Sequence, residues 1–314
     1  MTAAVLPEML WESADPQAEL ARRFRFVSRE AAVRWARDLL ADDYGLRVAS
    51  IDRIVMSSHN LMIWVTSHSA GRLVIKACHL AGAHGWLTAR GALVVWLADR
   101  GLPVAAPLPT LRGDHQVLRD GRSIAVQPVL PGDRLDATDA EHVRAAGTAL
   151  AALHSELALW PDAHLLENVQ PVAGGNKLWV YPEGHSETIP PDLRDRRDRL
   201  ALGVVDLPEL PRQPIHADFR GANVLYADGR ISGIIDFEES RNDAAVVDLA
   251  NAVCLLGTWY HDWQPISRQA QSLFLASYAE RRPLTDAEQT WLSPLIGWVM
   301  LRQGWWDDAR HWLP

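Results

Sequence analysis

Several things are scarce in this chain of 314 residues. It has two cysteines, Cys78 and Cys254. Two thiols make neither a disulfide framework nor a thiolate metal set, and they suit a reducing cytoplasm. No apolar run approaches the ~20 residues of a membrane-spanning helix, "ALVVWLA" being about the longest. The opening "MTAAVLPEMLWESADP" has no basic stretch leading into an apolar core, so no secretory signal is expected and the expected location is cytoplasmic. There is no internal repeat, no low-complexity segment and no GxGxxG. Lysine occurs twice, at Lys76 and Lys177, against 29 arginines. No acidic residue falls between Asp52 and Asp99.

What is present describes a globular chain. Hydrophobic residues make up 48% and charged residues 22%, which excludes a disordered chain and leaves length enough for two lobes. Charge is unevenly spread. Residues 1–132 carry 15 Lys/Arg against 12 Asp/Glu, while residues 133–314 carry 16 against 27, a net of −11. A nucleic-acid partner is not expected on that balance, and no membrane partner is indicated. An acidic half does raise the local concentration of cationic ligands.

The densest chemistry lies in "PIHADFRGANVLYADGRISGIIDFEES", residues 214–240. Asp228-Gly229 between β-branched flanks predicts a hairpin, since Gly tolerates the positive φ of a type I′ turn. Starting from Ala227 opposite Arg230, the pairing runs outward as Tyr226 with Ile231, Leu225 with Ser232, Val224 with Gly233 and Asn223 with Ile234. That register leaves Asp236 opposite Gly221 and diagonal to Asn223, roughly 7–8 Å between backbones. An amide oxygen and a carboxylate at the open end of one hairpin can share a hard cation. Mg²⁺ is the natural choice, because it favours oxygen and needs few protein ligands. Asp218 sits in the turn entering the hairpin, with Arg220 as its one cationic neighbour in sequence.

The N-terminal half predicts a helix capped by Ser28, running to about Asp43 and ended by Gly45. An antiparallel meander follows, "RVASIDRIVM", "LMIWVT" and "RLVIKA", with Ser57-Ser58-His59-Asn60 between the first two strands. Lys76 stands out in the third. A compact ammonium on an apolar strand needs an anionic partner. Further on, Thr138 and Glu141 read as a capping box for a core helix bearing Val143, Ala146, Leu150 and Leu153, with His154 structural. "DLRDRRDRL" reads as a solvated helix. "LANAVCLL", "RQAQSLFLASYAE" and "DAEQTWLSPLIGWVMLRQGWW" read as helices. Seven of the 14 tryptophans fall at or after Trp259, and most are expected in the core.

His-x-Asp-x4-Asn followed by an apolar strand ending in Asp236 resembles the catalytic loop and metal strand of the aminoglycoside phosphotransferase and choline kinase family, relatives of the protein kinases. Recognisable elements cover roughly residues 45–260. The resemblance implies an α+β, bilobal protein-kinase-like fold, with a small antiparallel β-sheet N-lobe (1–126), a hinge (127–132) and a mainly helical C-lobe (133–314). It implies Asp218 as the catalytic Asp, Asn223 and Asp236 as Mg²⁺ ligands, His216 as support for the loop and Asp248 of "AAVVDLA" as structural. Ala217 departs from a frequent Gly.

The same likeness makes Lys76 the phosphate-contacting Lys and Ser57, Ser58 and Asn60 the loop over the phosphates. Gln127 and Val129 pair with adenine, since Pro128 cannot donate. One element departs: Arg90 or Gly91 stands where the family helix carries the Glu that pairs with the Lys. The implied activity is ATP- and Mg²⁺-dependent phosphoryl transfer to a hydroxyl of a small molecule, first an antibiotic or similar natural product. The alternatives are a metabolic kinase of the choline, homoserine or sugar type, or a nucleotide-binding pseudokinase. Glu238, Glu239 and Asp262 are candidates to meet a cationic substrate.

Overall fold

Leu61, Ile63 and Val65 are buried while the residues between them are half-buried, and that alternation in "NLMIWVTS" sets the sheet around which the first part of the chain is built. The structure is a computed structural model that describes residues 5–166, 173–174, 177–178 and 189–314. The chain divides into two compact units, Met1–Leu130 and Pro131–Pro314.

In the first unit, β1 (Pro7–Met9), α1 (Pro16–Phe24) and α2 (Arg29–Tyr44) precede β2 (Val48–Met56), β3 (Asn60–Ser67) and β4 (Gly71–Cys78). Then come α3 (Ala83–Asp99), β5 (Val117–Arg119) and β6 (Arg122–Pro128). The strands form one sheet in the order β1-β2-β3-β4-β6-β5. The expected meander is its centre. The expectation of a purely antiparallel sheet is corrected, because β1 runs parallel to β2, with Pro7 facing Ile54. Three residues of "PEM" carry no alternation by which a strand could be read.

The ends of α2 follow from its caps. The Ser28 hydroxyl accepts the Ala31 N–H, and Gly45 closes the helix at φ +65°. Leu20, Phe24, Leu39 and Leu40 of the two N-terminal helices pack with Ile54, Ile63, Ile75 and Ile124 of the sheet in one buried cluster. Each such side chain contributes about 1.5–3 kcal/mol of transfer free energy.

The second unit contains β7 (Asp133–Arg134), α4 (Ala140–Leu157), β8 (Ala173–Gly174), β9 (Lys177–Leu178) and α5 (Pro191–Gly203). They are followed by β10 (Gln213–Ile215), β11 (Val224–Ala227), β12 (Arg230–Ile234) and β13 (Arg241–Asp243). It closes with α6 (Ala245–Leu255), α7 (Arg268–Arg281), α8 (Asp286–Gln303) and α9 (Trp306–Trp312). The sheets are small: β12-β11-β7 and β10-β13, with β8 beside β9. Among the described residues no helix is long and apolar enough to cross a membrane.

Three expectations are corrected here. The cap of α4 is Asp139, whose carboxylate accepts from the N–H groups of Glu141 and His142, while Thr138 turns back to Asp136. The hairpin register shifts by one beyond Tyr226: Leu225 faces Gly233 and Val224 faces Ile234, with Ser232 bulged out. The Ser232 hydroxyl donates to the Pro131 carbonyl at 2.7 Å, a contact from far away in sequence. Gly132, at φ +112°, leaves room for this; a Cβ there would strike Ser232 and lie 2.8 Å from the Tyr226 carbonyl. Of the seven late tryptophans only Trp291 and Trp298 are buried. The others keep part of the ring in water, as amphipathic indoles do.

Candidate active site

The stretch 216–223 joins β10 to β11, and one carboxylate organises it. Asp248, on the first turn of α6, is wholly buried. Its oxygens accept the His216 N–H at 2.9 Å, the Ala217 N–H at 3.0 Å and His154 Nε2 at 3.0 Å. His154 Nδ1 lies in turn 2.7 Å from the Tyr278 hydroxyl. Burial by itself would raise the Asp248 carboxyl, but the hydrogen bonds it accepts from His154 and from the His216 N–H hold it below the usual carboxylate range. His154 is structural, as its sequence context suggests.

His216 is equally buried. Its Nδ1 accepts the Asp218 N–H at 3.2 Å, so Nε2 carries the proton and donates to the Ile235 carbonyl at 3.1 Å. Burial lowers its pKa and keeps the ring neutral, as this pattern of one acceptor and one donor requires. The Phe237 ring packs on it, centroids 4.5 Å apart. The chain passes through Ala217 at φ +67°, the left-handed conformation that a Gly would adopt freely.

Asp218 therefore projects from a fixed turn. Arg220 Nε donates to both of its carboxylate oxygens, at 3.0 and 3.2 Å, and Asn223 Nδ2 donates to Oδ2 at 2.6 Å. The same Asn223 amide donates to the Asp218 carbonyl at 2.9 Å. Burial pushes the Asp218 carboxyl up to about 6; Arg220 opposes the shift and the negative charge of Asp236 adds to it. Asp236 thus lies close enough for its charge to act on Asp218. It is exposed and sits at φ +68°, directly before the short 3₁₀ turn Phe237–Glu239. Although the bulge changes the predicted register, Asp218, Asn223 and Asp236 still come together, because the Ile235 N–H bonds the Asn223 carbonyl at 3.0 Å.

This donor set suits Mg²⁺. It offers carboxylate and amide oxygens and no soft ligand, and the two carboxylates repel each other in the absence of a cation. Among the described residues no group of three or more His, Cys, Asp or Glu gathers as a metal cluster.

The first unit carries the other candidates. Lys76 is half-buried in β4, between Met62 of β3 and Ala125 of β6. The 57–60 turn is closed by the Ser57 N–H donating to the Asn60 carbonyl at 2.9 Å and by the Ser57 hydroxyl accepting the Asn60 N–H at 3.3 Å. Arg23 of α1, overlooked in the sequence, donates to the Ser57 and Ser58 carbonyls at 3.1 and 3.4 Å. His79 Nε2 approaches the Ser58 carbonyl at 3.3 Å. Arg90 lies inside α3, its guanidinium bonded to the Trp86 carbonyl and stacked 4.9 Å from the Trp86 ring.

Gln127 and Val129, expected to pair with adenine, are out of phase for that role. The Val129 N–H donates to the Arg72 carbonyl at 3.0 Å, and the Val126 carbonyl accepts Leu108 on the opposite side. By strand alternation Gln127 and Val129 turn their main chain toward β4, and the Pro128 carbonyl turns away from it. The Gln127 side chain bonds the Ala105 carbonyl at 3.0 Å.

Of the candidate substrate carboxylates, Glu238 and Glu239 lie on the 3₁₀ turn after Asp236, and Asp262 lies in the stretch between α6 and α7.

Comparison with known proteins matches this architecture to the kinase-like phosphotransferases. The structure aligns with that of "Amicoumacin kinase hAmiN in complex with AMP-PNP, Ca2+ and Ami" at a TM-score of 0.67 and 17% identity, over 90% of this chain and 86% of that one. At that identity the likeness is one of fold. The model of the phosphotransferase enzyme family matches residues 50–284, and the chain belongs to that family. Curated relatives include the homoserine kinase of Rhizobium rhizogenes strain K84, 32% identical over 62% of this chain and 60% of its own length. The homoserine kinase of Methylobacterium radiotolerans is 32% identical over 67% of this chain and 65% of its own length. The chain thus spans somewhat under two thirds of those relatives.

Proposed function

We propose that the protein is a kinase that moves the γ-phosphoryl group of ATP to a hydroxyl of a small molecule. The observation that carries this reading is the convergence of Asp218, Asn223 and Asp236 on one spot, with the loop behind them anchored in the core by Asp248. Asn223 and Asp236 would hold Mg²⁺, which when bound neutralises phosphate charge and orients the phosphates. Asp218 accepts the proton of the acceptor hydroxyl, or aims that hydroxyl, and Arg220 and Asn223 fix its carboxylate for the task. Lys76 adds positive charge against the phosphates. The Pro128 carbonyl replaces Gln127 and Val129 as the outward main-chain acceptor for an adenine amino group.

For the acceptor, the relatives above 30% identity favour homoserine or a similar amino alcohol, ahead of the antibiotic that the motif alone brought forward. An antibiotic acceptor stays as the second reading, supported by the fold shared with the amicoumacin kinase. ATP consumption against a panel of amino alcohols, sugars and hydroxylated antibiotics, with and without Mg²⁺, tests the proposal. Mg²⁺-dependent turnover on at least one acceptor is expected. ATP binding without phosphoryl transfer to any of them would leave a pseudokinase.

A further inference from the structure

The second unit carries an open cavity of about 800 Å³. That is within the range of small-molecule sites, about 300–1,000 Å³. Its walls are the start of α4, the 257–267 stretch and the first turns of α7. Its charges are mixed. Arg134 lines it, with the guanidinium 5.3 Å from the Trp259 ring and 4.6 Å from the Tyr260 ring and Nη2 donating to the Tyr260 hydroxyl at 3.3 Å. Among the described residues no carboxylate pairs with it. In a half of the chain with a net charge of −11, a half-buried arginine that, among the described residues, is held by rings and a phenol is a cation kept available.

Two carboxylates share the wall. Asp136 accepts the Thr138 N–H and hydroxyl on Oδ1, at 2.8 and 2.7 Å. Asp262 sits in a turn closed by the Trp259 N–H donating to the Asp262 carbonyl at 2.7 Å, which holds the two residues close along the same wall. A purely cationic ligand would meet Arg134, and a purely anionic one would meet Asp136 and Asp262. A ligand carrying both signs answers both.

The cavity adjoins the catalytic loop. The Gly221 N–H donates to the Leu256 carbonyl at 2.9 Å. A Cβ at Gly221 would strike that carbonyl, and Trp259 Nε1 is only 3.5 Å from the same point. The stretch bearing Trp259 is therefore pressed against the loop bearing Asp218.

We propose that this cavity binds the amino-acid end of a zwitterionic acceptor, with Arg134 taking the carboxylate, Asp262 and Asp136 the ammonium, and Trp259 the apolar stem. The proposal rests on the kinase reading above and narrows its substrate class. The charges fix the end group and not the length, since the volume exceeds that of one amino acid.

L-Homoserine and 3-amino-1-propanol, which lacks the carboxylate, are the probes. Arg134→Gln should raise the KM for L-homoserine by about tenfold or more, the scale of one lost charge-assisted bond. It should leave kcat and the KM for ATP unchanged, and the KM for 3-amino-1-propanol as well. Arg134→Lys should recover part of the loss. Asp262→Asn should raise KM for both probes. Calorimetric binding of L-homoserine to the nucleotide-free protein should follow the same pattern, and this readout needs no turnover. A parent protein that does not bind L-homoserine overturns the proposal, as does an Arg134→Gln variant whose KM for it is unchanged. Failure of phosphoryl transfer to every acceptor would overturn the kinase reading instead, while the calorimetry still decides the cavity.

Discussion

The 216–223 loop hangs from a carboxylate in the core, whereas the 57–60 turn is gripped from outside. Asp248 takes two consecutive main-chain N–H groups of the loop and is backed by His154 and Tyr278, all in buried surroundings. The turn's carbonyls are taken by Arg23, a side chain of an N-terminal helix that also pairs with Glu12 and Glu19. In the proposed function both devices place polar groups for a ligand, but with different coupling to stability. The loop's anchor cannot be removed without unsatisfying the core. The turn's anchor is a partly solvated clamp, and its loss should blur placement more than it weakens the fold.

Asp248→Ala is the severest way to break that contrast. It leaves buried donors on His154, His216 and Ala217 without their acceptor, and should cost about 3–5 kcal/mol in denaturant unfolding, with activity lost. A loss no larger than that of an average surface substitution would mean the loop has another anchor.

Asp218→Ala comes next and concerns chemistry more than stability. It should lower kcat by about a hundredfold, about 2.7 kcal/mol, with nucleotide binding kept. In the parent, the carboxyl at about 6 gives a pH test. kcat/KM should rise tenfold per pH unit below about 6 and level off above it. The stability sign is opposite. The folded pKa lies above the unfolded value of 3.8, so the native state holds more protons between about 4 and 6. This group's contribution should therefore fall as pH rises through that window, and stay flat above it. An Asp218→Asn protein should lack that fall.

Arg23→Ala tests the clamp. A several-fold rise in the KM for ATP with an unfolding free energy lowered by only about 1 kcal/mol is expected, the scale of a partly exposed ion pair and its bonds. Equal kinetics in variant and parent would detach the turn from nucleotide placement. Ala217→Gly is the mildest change. Releasing the positive φ should stabilise the loop by at most about 1 kcal/mol, because the freer unfolded chain offsets part of the gain. A drop in stability would show that the Ala217 methyl contributes packing.

The same contrast explains what could be read from the sequence. The loop's polar groups sit at fixed short spacings around a hairpin whose turn residues are explicit, so the grouping of Asp218, Asn223 and Asp236 was legible from local geometry, while His216 and Asp248 were marked only by the resemblance to the family. The caps of α2 were legible for the same local reason. Effects of distant partners were not. The bulge at Ser232 depends on Pro131, about a hundred residues away, and moved the register by one. Arg23 reaches the 57–60 turn from another element, and Arg134 is placed by Trp259 and Tyr260 far along the chain. The phase of Gln127 and Val129 was set by which side of β6 pairs with β4, which composition does not encode. At α4 the cap is Asp139, one residue beyond the Thr138 that the capping-box spacing pointed to.

The most direct test of the site is the Mg²⁺ dependence of phosphoryl transfer in Asp236→Asn beside the parent, with matching unfolding midpoints as the control for fold. The account predicts that saturating Mg²⁺ no longer supports turnover, a loss of at least about a hundredfold, or about 2.7 kcal/mol, with metal-free ATP binding unchanged. Turnover within about threefold of the parent, about 0.7 kcal/mol, at the same Mg²⁺ concentration would contradict it.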